Sequence, residues 1–239
     1  MSLITEQMTT EAWAEQLLGQ YLLFGLLGKL LYSHPDSALL KPVIEGDLFG
    51  EAPFASDSPE VVEGLSLLQQ WREQYQQPTL HKEVLTEVQV DYMRLFAITE
   101  RLPLAPWESF YGNDERLLFQ ECMLDVRNWY ARFGLELINV HREPDDHIGL
   151  ELLFVAHLAQ LGLKAVEDNN AFNLEQVLAA QRGFLTNHLL TWAPQWCDQM
   201  VHHARTDYYR GLALVARGAL LALSRLLQLE TAAAEAVRS

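Results

Sequence analysis

The chain has 239 residues, 49% of them apolar and 21% charged, enough to bury one sizeable core or two small ones and too hydrophobic for long disorder. Seventeen Lys plus Arg against 32 Asp plus Glu leave a formal charge of −15, which repels a phosphate backbone and argues against nucleic acid, while a basic peptide would be attracted. Two cysteines, Cys122 and Cys197, with neither CxxC nor metal-ligand spacing, indicate no disulfide framework and no zinc knuckle, and suit a reducing cytoplasm.

In chain order, Trp13, Leu17, Tyr21, Phe24, Leu27 and Leu31 recur at spacings of three and four after Thr10 and Glu11, predicting a helix that His34-Pro35 closes. Tyr21 to Leu31 is apolar but short and broken by Gly25, Gly28 and Lys29, so it reads as a buried helix, not a membrane span. The first cation, Lys29, comes too late for a signal peptide. Residues 45–59 read as a surface loop that ends in a helix start at Ser58-Pro59. Val61, Leu65, Leu68, Trp71 and Tyr75 form the next stripe, ending before Pro78, and Val84, Val88, Tyr92, Leu95 and Phe96 form another.

Pro103 and Pro106 forbid a continuous helix between Ala97 and Gly112, so this stretch is expected to be an extended crossover between N-terminal and C-terminal helical halves. A hinge there would allow two protomers to exchange halves, making a homodimer. Asn113 can cap a helix holding Leu117, Leu118, Met123, Val126, Trp129 and Tyr130, which Gly134 ends. Leu135 to Val140 is an isolated strand-like run. After a turn at 143–147 comes the apolar segment Ile148 to Leu161, then a polar linker at 167–173. Leu174 to Leu189, Pro194 to Ala204 and Asp207 to Leu229 complete the helices. On the last, Arg210, Arg217 and Arg225 share one face, while Leu212, Val215, Ala219, Leu223 and Leu226 point inward. The fold class is all-α, read as a single compact helical bundle domain over residues 1–239, with 230–239 a frayed tail and no self-similar repeat.

Glu143, Pro144, Asp145, Asp146 and His147 gather acids and an imidazole at the entrance of the Ile148 helix. Pro144 disfavours helix before it, Asp145 or Asp146 can accept a bond from an unpaired first-turn amide, and Glu151 lies one turn beyond His147 on the same face. This is either a cap with solvated acids or a polar site; His147 is either a buried or capping imidazole bonded to Asp146 or Glu143 or a member of that site, and a neighbouring carboxylate would favour its protonated form. Trp107, between Pro106 and Glu108 and close to Phe110 and Tyr111, is either a pin for the crossover or an aromatic shelf. His202 and His203 are adjacent, so they point to different helix faces. No nucleophile elbow, Walker loop, zinc-protease motif or di-iron pattern occurs.

Glu143-Pro144-x-Asp146-His147 followed by Glu151-Leu152-x-Phe154 resembles the signature of the TorD/DmsD/NarJ family of cytoplasmic chaperones for molybdenum enzymes. Leu27-Gly28-x-Leu30-Leu31-Tyr32-x-x-Pro35, Leu95-Phe96, Pro106-Trp107-Glu108-Ser109 with Tyr111, His188-Leu189-x-x-Trp192 and Asp207-Tyr208-Tyr209-Arg210-x-Leu212 resemble other family segments, in order. The resemblance implies a helical chaperone, not an enzyme, with no cofactor of its own. It would bind the twin-arginine leader of the apo form of a molybdopterin oxidoreductase until cofactor insertion is complete, with the export machinery as a further candidate partner. It carries Glu143, Pro144, Asp146, His147, Pro106, Trp107, Tyr32, Phe96 and Tyr111 into a peptide-binding site, to which helix spacing adds Glu151. Asp145 at the variable position adds charge, and the 167–173 linker and the C-terminal tail are longer than the family pattern. The competing readings are a metal-dependent hydrolase on His141, His147, Asp146 and Glu151, and an adaptor whose apolar surface only mediates oligomers.

Overall fold

A computed structural model describes residues 8–76, 81–96, 104–111, 116–135 and 144–229. Among them every regular element is helical: α1 (Thr10–Tyr32), α2 (Ser37–Glu45), α3 (Pro59–Gln76), α4 (His81–Phe96), α5 (Arg116–Arg132), α6 (Ile148–Glu167), α7 (Ala171–Phe184), α8 (Leu190–His203) and α9 (Asp207–Leu226). The glutamates and histidine of the 136–143 stretch, Glu143 and His141 included, lie outside the described residues, as does the strand-like run beyond Leu135.

Helix starts follow side-chain chemistry. Thr9 Oγ1 accepts from the Ala12 amide at 3.2 Å, Asp36 Oδ1 from Leu39 at 2.8 Å and Asn170 Oδ1 from Asn173 at 3.0 Å, each satisfying an amide that has no partner within its helix. Pro59 takes the first position of α3, where its missing donor costs nothing. Gly134, with φ of 77°, sits where the chain leaves α5 in the left-handed conformation that side chains resist.

Two expectations need correction. The segment after α2 is not a surface loop throughout: Phe49 and Phe54 are buried, Phe49 edge-on to Trp71 at 6.3 Å and Phe54 beside Phe24 at 6.1 Å, so it acts as a packed strap. Pro194 does not begin a new helix. A widened π-turn at Leu185–Leu189 joins α7 to α8, and Pro194 lies inside α8, so one bent rod runs where the proline suggests two.

Glycines decide how closely the long helices cross. A Cβ on Gly149 of α6 would stand 2.7 Å from Gly28 O and from Tyr32 Cβ of α1, and one on Gly28 would stand 2.7 Å from Gly149 O. Gly64 of α3 and Gly211 of α9 touch in the same way. These contacts let aliphatic side chains interlock at native packing density around one continuous apolar cluster running from Trp13 to Leu227. Helix α6 is long and apolar enough to cross a membrane by length and composition alone, but its apolar face is buried within this cluster against α1. On α9 the inward set is as expected, with Leu212, Val215, Ala219 and Leu223 buried and Leu226 half-buried, while Arg217 pairs with Glu60 at 2.9 Å and Asp198 at 3.0 Å.

At the other end of α9, Asp91 of α4 caps the chain's turn into the helix. Its Oδ2 accepts from the amides of Arg205 and Thr206 at 2.8 Å each and from Thr206 Oγ1 at 2.9 Å, and its Oδ1 takes Arg94 at 2.8 Å. The carboxylate is 2% exposed and fully bonded.

Candidate functional site

The signature turn and the crossover are joined by backbone. Trp107 and His147 form an isolated antiparallel bridge in which Ile148 N–H donates to Pro106 O at 2.8 Å and Glu108 N–H donates to Asp146 O at 3.0 Å. The crossover, having no helix of its own here beyond a single 3₁₀ turn at Glu108–Phe110, borrows order from the start of α6. Asp146 Oδ2 accepts the Ser109 amide at 2.7 Å, Tyr130 OH donates to Asp145 O at 3.0 Å, and Arg127 of α5 pairs with the Asp145 carboxylate.

The turn is sealed. Asp145, Asp146 and Glu151 are at most 1% exposed and His147 is 5% exposed, so in this conformation Asp146, His147 and Glu151 do not form the acidic wall of an open groove. The reason lies in the glycine crossing: α1 comes so close at Gly28 and Gly149 that Tyr32 lies edge-on over the His147 ring, with centroids 5.2 Å apart at 87°. His147 itself, not Asp145 or Asp146, caps α6, and its Nδ1 accepts the Gly149 amide at 3.0 Å. Burial pushes its pKa down to about 3, so the imidazole is neutral, contrary to the protonated form expected from neighbouring acids. With Nδ1 an acceptor, the ring proton is on Nε2.

Beneath the turn is a polar pocket that sequence spacing did not reveal. Glu108 from the 3₁₀ turn, Asp146, Glu151 of α6 and His188 from the π-turn are all buried, and Cys122 of α5 is half-buried. Glu108 Oε2 lies 2.9 Å from His188 Nδ1, and Trp192 Nε1 donates to Glu151 Oε2 at 3.3 Å. Burial raises the pKa of Glu151 well above the ordinary range, with the charges of Glu108 and Asp146 adding to it. It also raises that of Asp146, against the lowering effect of the Ser109 bonds. Glu108 and His188 stand inside segments the resemblance picks out; Cys122 carries no signal of its own. What brings these positions together is the fold, across 80 residues of sequence.

The aromatic positions are less buried than the acids of the turn. Trp107, Tyr111, Tyr32 and Phe96 are half-buried and Phe110 is 52% exposed. Tyr111 stacks on Trp192 with centroids 5.3 Å apart, Trp192 meets Trp196 at 6.3 Å, and Trp196 stacks on Phe96 at 6.3 Å, so a tryptophan pair links the crossover to the end of α4. Pro106 is buried and Pro144 half-buried at the edge of the turn. The structure thus joins Trp107, Tyr32, His147 and Glu151 around the turn and sets Tyr111 and Phe96 along a neighbouring ridge.

Residues 56–198 match the protein family described as nitrate reductase delta subunit, a span that contains the crossover, the turn and the π-turn. The chain belongs to that family. Within it, the chain is 28% identical over 192 residues to the Tat proofreading chaperone DmsD of Salmonella typhi, covering 80% of this chain and 82% of the relative. It is 27% identical over 207 residues to the probable Tat proofreading chaperone DmsD of Haemophilus influenzae, covering 83% and 87%. The chaperone protein TorD of Vibrio cholerae is 27% identical over 180 residues, 75% of each chain. These relatives are named as chaperones, and nothing among them favours the hydrolase reading. His147 already spends Nδ1 on a backbone amide, and Asp146 spends Oδ2 likewise.

Proposed function

We propose that this nitrate reductase delta family member is a cytoplasmic chaperone, not an enzyme, acting in a single helical domain that binds the twin-arginine leader of a molybdopterin oxidoreductase and assists cofactor insertion before export. The observation that carries the reading is the aromatic ridge of Trp107, Phe110 and Tyr111, presented to solvent from a short turn that buried Asp146 and His147 hold in place. Phe110 meets Tyr111 edge-on at 5.6 Å yet stays 52% exposed, and exposed aromatics on an ordered turn are suited to apolar peptide and to guanidinium stacking. The acids available to the leader's arginines are Glu121 and Asp125, exposed on α5 behind the same turn, rather than Asp146. A surface of charge −15 then draws the basic end of the leader, while the ridge takes its apolar middle.

In this account Asp146 and His147 act through Trp107: the first bonds the Ser109 amide and the second anchors the bridge. Calorimetry of the tag-free chain with a synthetic twin-arginine leader tests the reading. Binding that weakens as salt rises, and that drops for a leader with both arginines replaced by glutamine, is the expected result. Equal affinity for the two leaders, or no heat at all, would overturn it.

A further inference from the structure

The cluster under the crossover gathers three buried acids with no lysine or arginine beside them among the described residues. Glu108, Asp146 and Glu151 are each no more than 8% exposed, and among the described residues no lysine or arginine bonds to any of them. Glu151 lies against Glu108, and its Oε1 has no hydrogen-bond partner; neither does Asp146 Oδ1. Burying carboxylates in this state is costly unless a proton or a cation joins them. Asp91 elsewhere in the fold, bonded through both oxygens, shows that this protein can satisfy a buried acid fully.

Two ligands of softer character face the same spot. Cys122 Sγ, one ring nitrogen of His188 and a Glu108 oxygen lie within 4.8 Å of one another, on three separate elements. A tetrahedral zinc ion with bonds of about 2.0–2.3 Å sets its ligands roughly 3.3–3.8 Å apart, so Glu108 Oε2 and His188 Nδ1, 2.9 Å apart, would part slightly to admit the ion while Cys122 Sγ adjusts to meet it. His188 is brought there by the π-turn, an irregularity that recurs at functional positions because it re-aims a side chain without ending the helix. Its Nδ1 faces Glu108, while its Nε2 lies 3.3 Å from Asp125 Oδ2, off the line of a hydrogen bond. A ligating imidazole with a carboxylate behind its other nitrogen is the usual arrangement for a bound metal. Cys122 and Asp125, three apart on α5, serve the histidine from one helix face.

We propose that Glu108, Cys122 and His188 bind one divalent ion of the zinc type, with Asp125 orienting the histidine. The ion would tie the 3₁₀ turn to α5 and to the α7–α8 rod, and so stiffen the segment that carries Trp107 and Phe110. It is a structural clamp, with no reaction assigned to it, and it does not depend on what the aromatic ridge binds. Binding replaces the thiol proton of Cys122, which is released to solvent as the sulfur becomes a thiolate ligand.

The test uses tag-free, chelator-treated full chain titrated with Co²⁺. One equivalent should produce sulfur-to-cobalt charge-transfer absorption, lost in Cys122→Ser and His188→Gln, with affinity about tenfold weaker in Asp125→Ala. Zn²⁺ at about a hundred times its Kd should raise the melting temperature by roughly 5–10 °C. Should the ligand variants fail to fold, the wild-type chain decides alone. Cys122 is half-buried and Cys197 fully buried, so saturating Zn²⁺ should slow N-ethylmaleimide labelling of Cys122, read by mass spectrometry, at least about tenfold. An absent charge-transfer band, unslowed labelling, or binding that survives Cys122→Ser and vanishes only when His202 and His203 are replaced would each overturn the proposal.

Discussion

Two buried acid sites lie along the α7–α8 rod, one at its π-turn and one at its C-terminal end, and they differ in how far their oxygens are bonded. Asp91 takes four hydrogen bonds, one from an arginine, and thereby locks α4 to the start of α9. Glu108, Asp146 and Glu151 are buried together with no arginine or lysine bonded to them among the described residues; Glu108 bonds to His188, and Asp146 and Glu151 each keep one oxygen without a partner. A carboxylate that is fully bonded has nothing left to bind with, so Asp91 is architecture. A cluster left short of donors is poised to gain a partner, and it sits directly beneath the ridge that faces solvent. The lesson is that burial alone does not distinguish a site from a strut; the count of satisfied oxygens does.

The contrast can be broken most forcefully at the saturated end. Asp91→Ala leaves two backbone amides and Arg94 without their acceptor, and urea unfolding should show a loss of about 3–5 kcal/mol. A loss below about 1 kcal/mol would mean that the four bonds do not act as the strut described here.

His147 gives the next largest effect through pH. Its pKa in the fold is depressed to about 3 from the ordinary 6.5, so the unfolded chain takes up a proton that the folded chain refuses. Stability from this group is therefore complete above 6.5 and is lost as pH falls toward 3, at up to about 1.4 kcal/mol per pH unit. Relative to His147→Gln, the wild-type chain should lose ground steadily between about pH 6.5 and pH 4 in urea unfolding. Parallel curves would show that the imidazole is not sealed.

At the solvent side, Trp107→Ala should weaken leader binding by about tenfold or more while shifting the melting temperature little, since the ring is half-buried on a loop. Unchanged affinity would detach the ridge from the leader.

The smallest effect belongs to Glu151. Its raised pKa means that the folded chain holds this proton more tightly than the unfolded chain. The stability it adds is present below the ordinary value of 4.5 and fades as pH climbs through the raised one. Glu151→Gln, which keeps an oxygen for Trp192, should therefore match wild type within about 1 kcal/mol at neutral pH in chelator, or exceed it. A clear loss would place Glu151 in the same class as Asp91.

Much of this was legible in the residues. Spacings of three and four placed α1, α3, α4 and α9, because a single apolar face is what a bundle helix must bury, a long apolar run placed α6, and Pro59 and Gly134 marked ends by backbone chemistry that needs no tertiary context. The Pro106-Trp107 and Asp146-His147 segments were singled out, and their backbones do meet. Three things were hidden, each tertiary in origin. Whether Asp146 and His147 face water depends on the Gly28–Gly149 approach, which no local pattern encodes. Pro194 reads as a helix start unless the π-turn upstream is known. The pocket of Glu108, Cys122 and His188 exists only because α5 and the α7–α8 rod flank the crossover, so spacing along the chain gives no hint of it.

The leader is expected to lie across the ridge at residues 107–111, over a turn that stays closed. Photo-cross-linking from a benzophenone placed in the apolar middle of a twin-arginine leader, followed by peptide mapping, measures this directly. Adducts on Trp107, Phe110 or Tyr111 are the predicted result. A leader that binds and cross-links only elsewhere, for example to exposed Leu18 and Leu22 on α1, would contradict it.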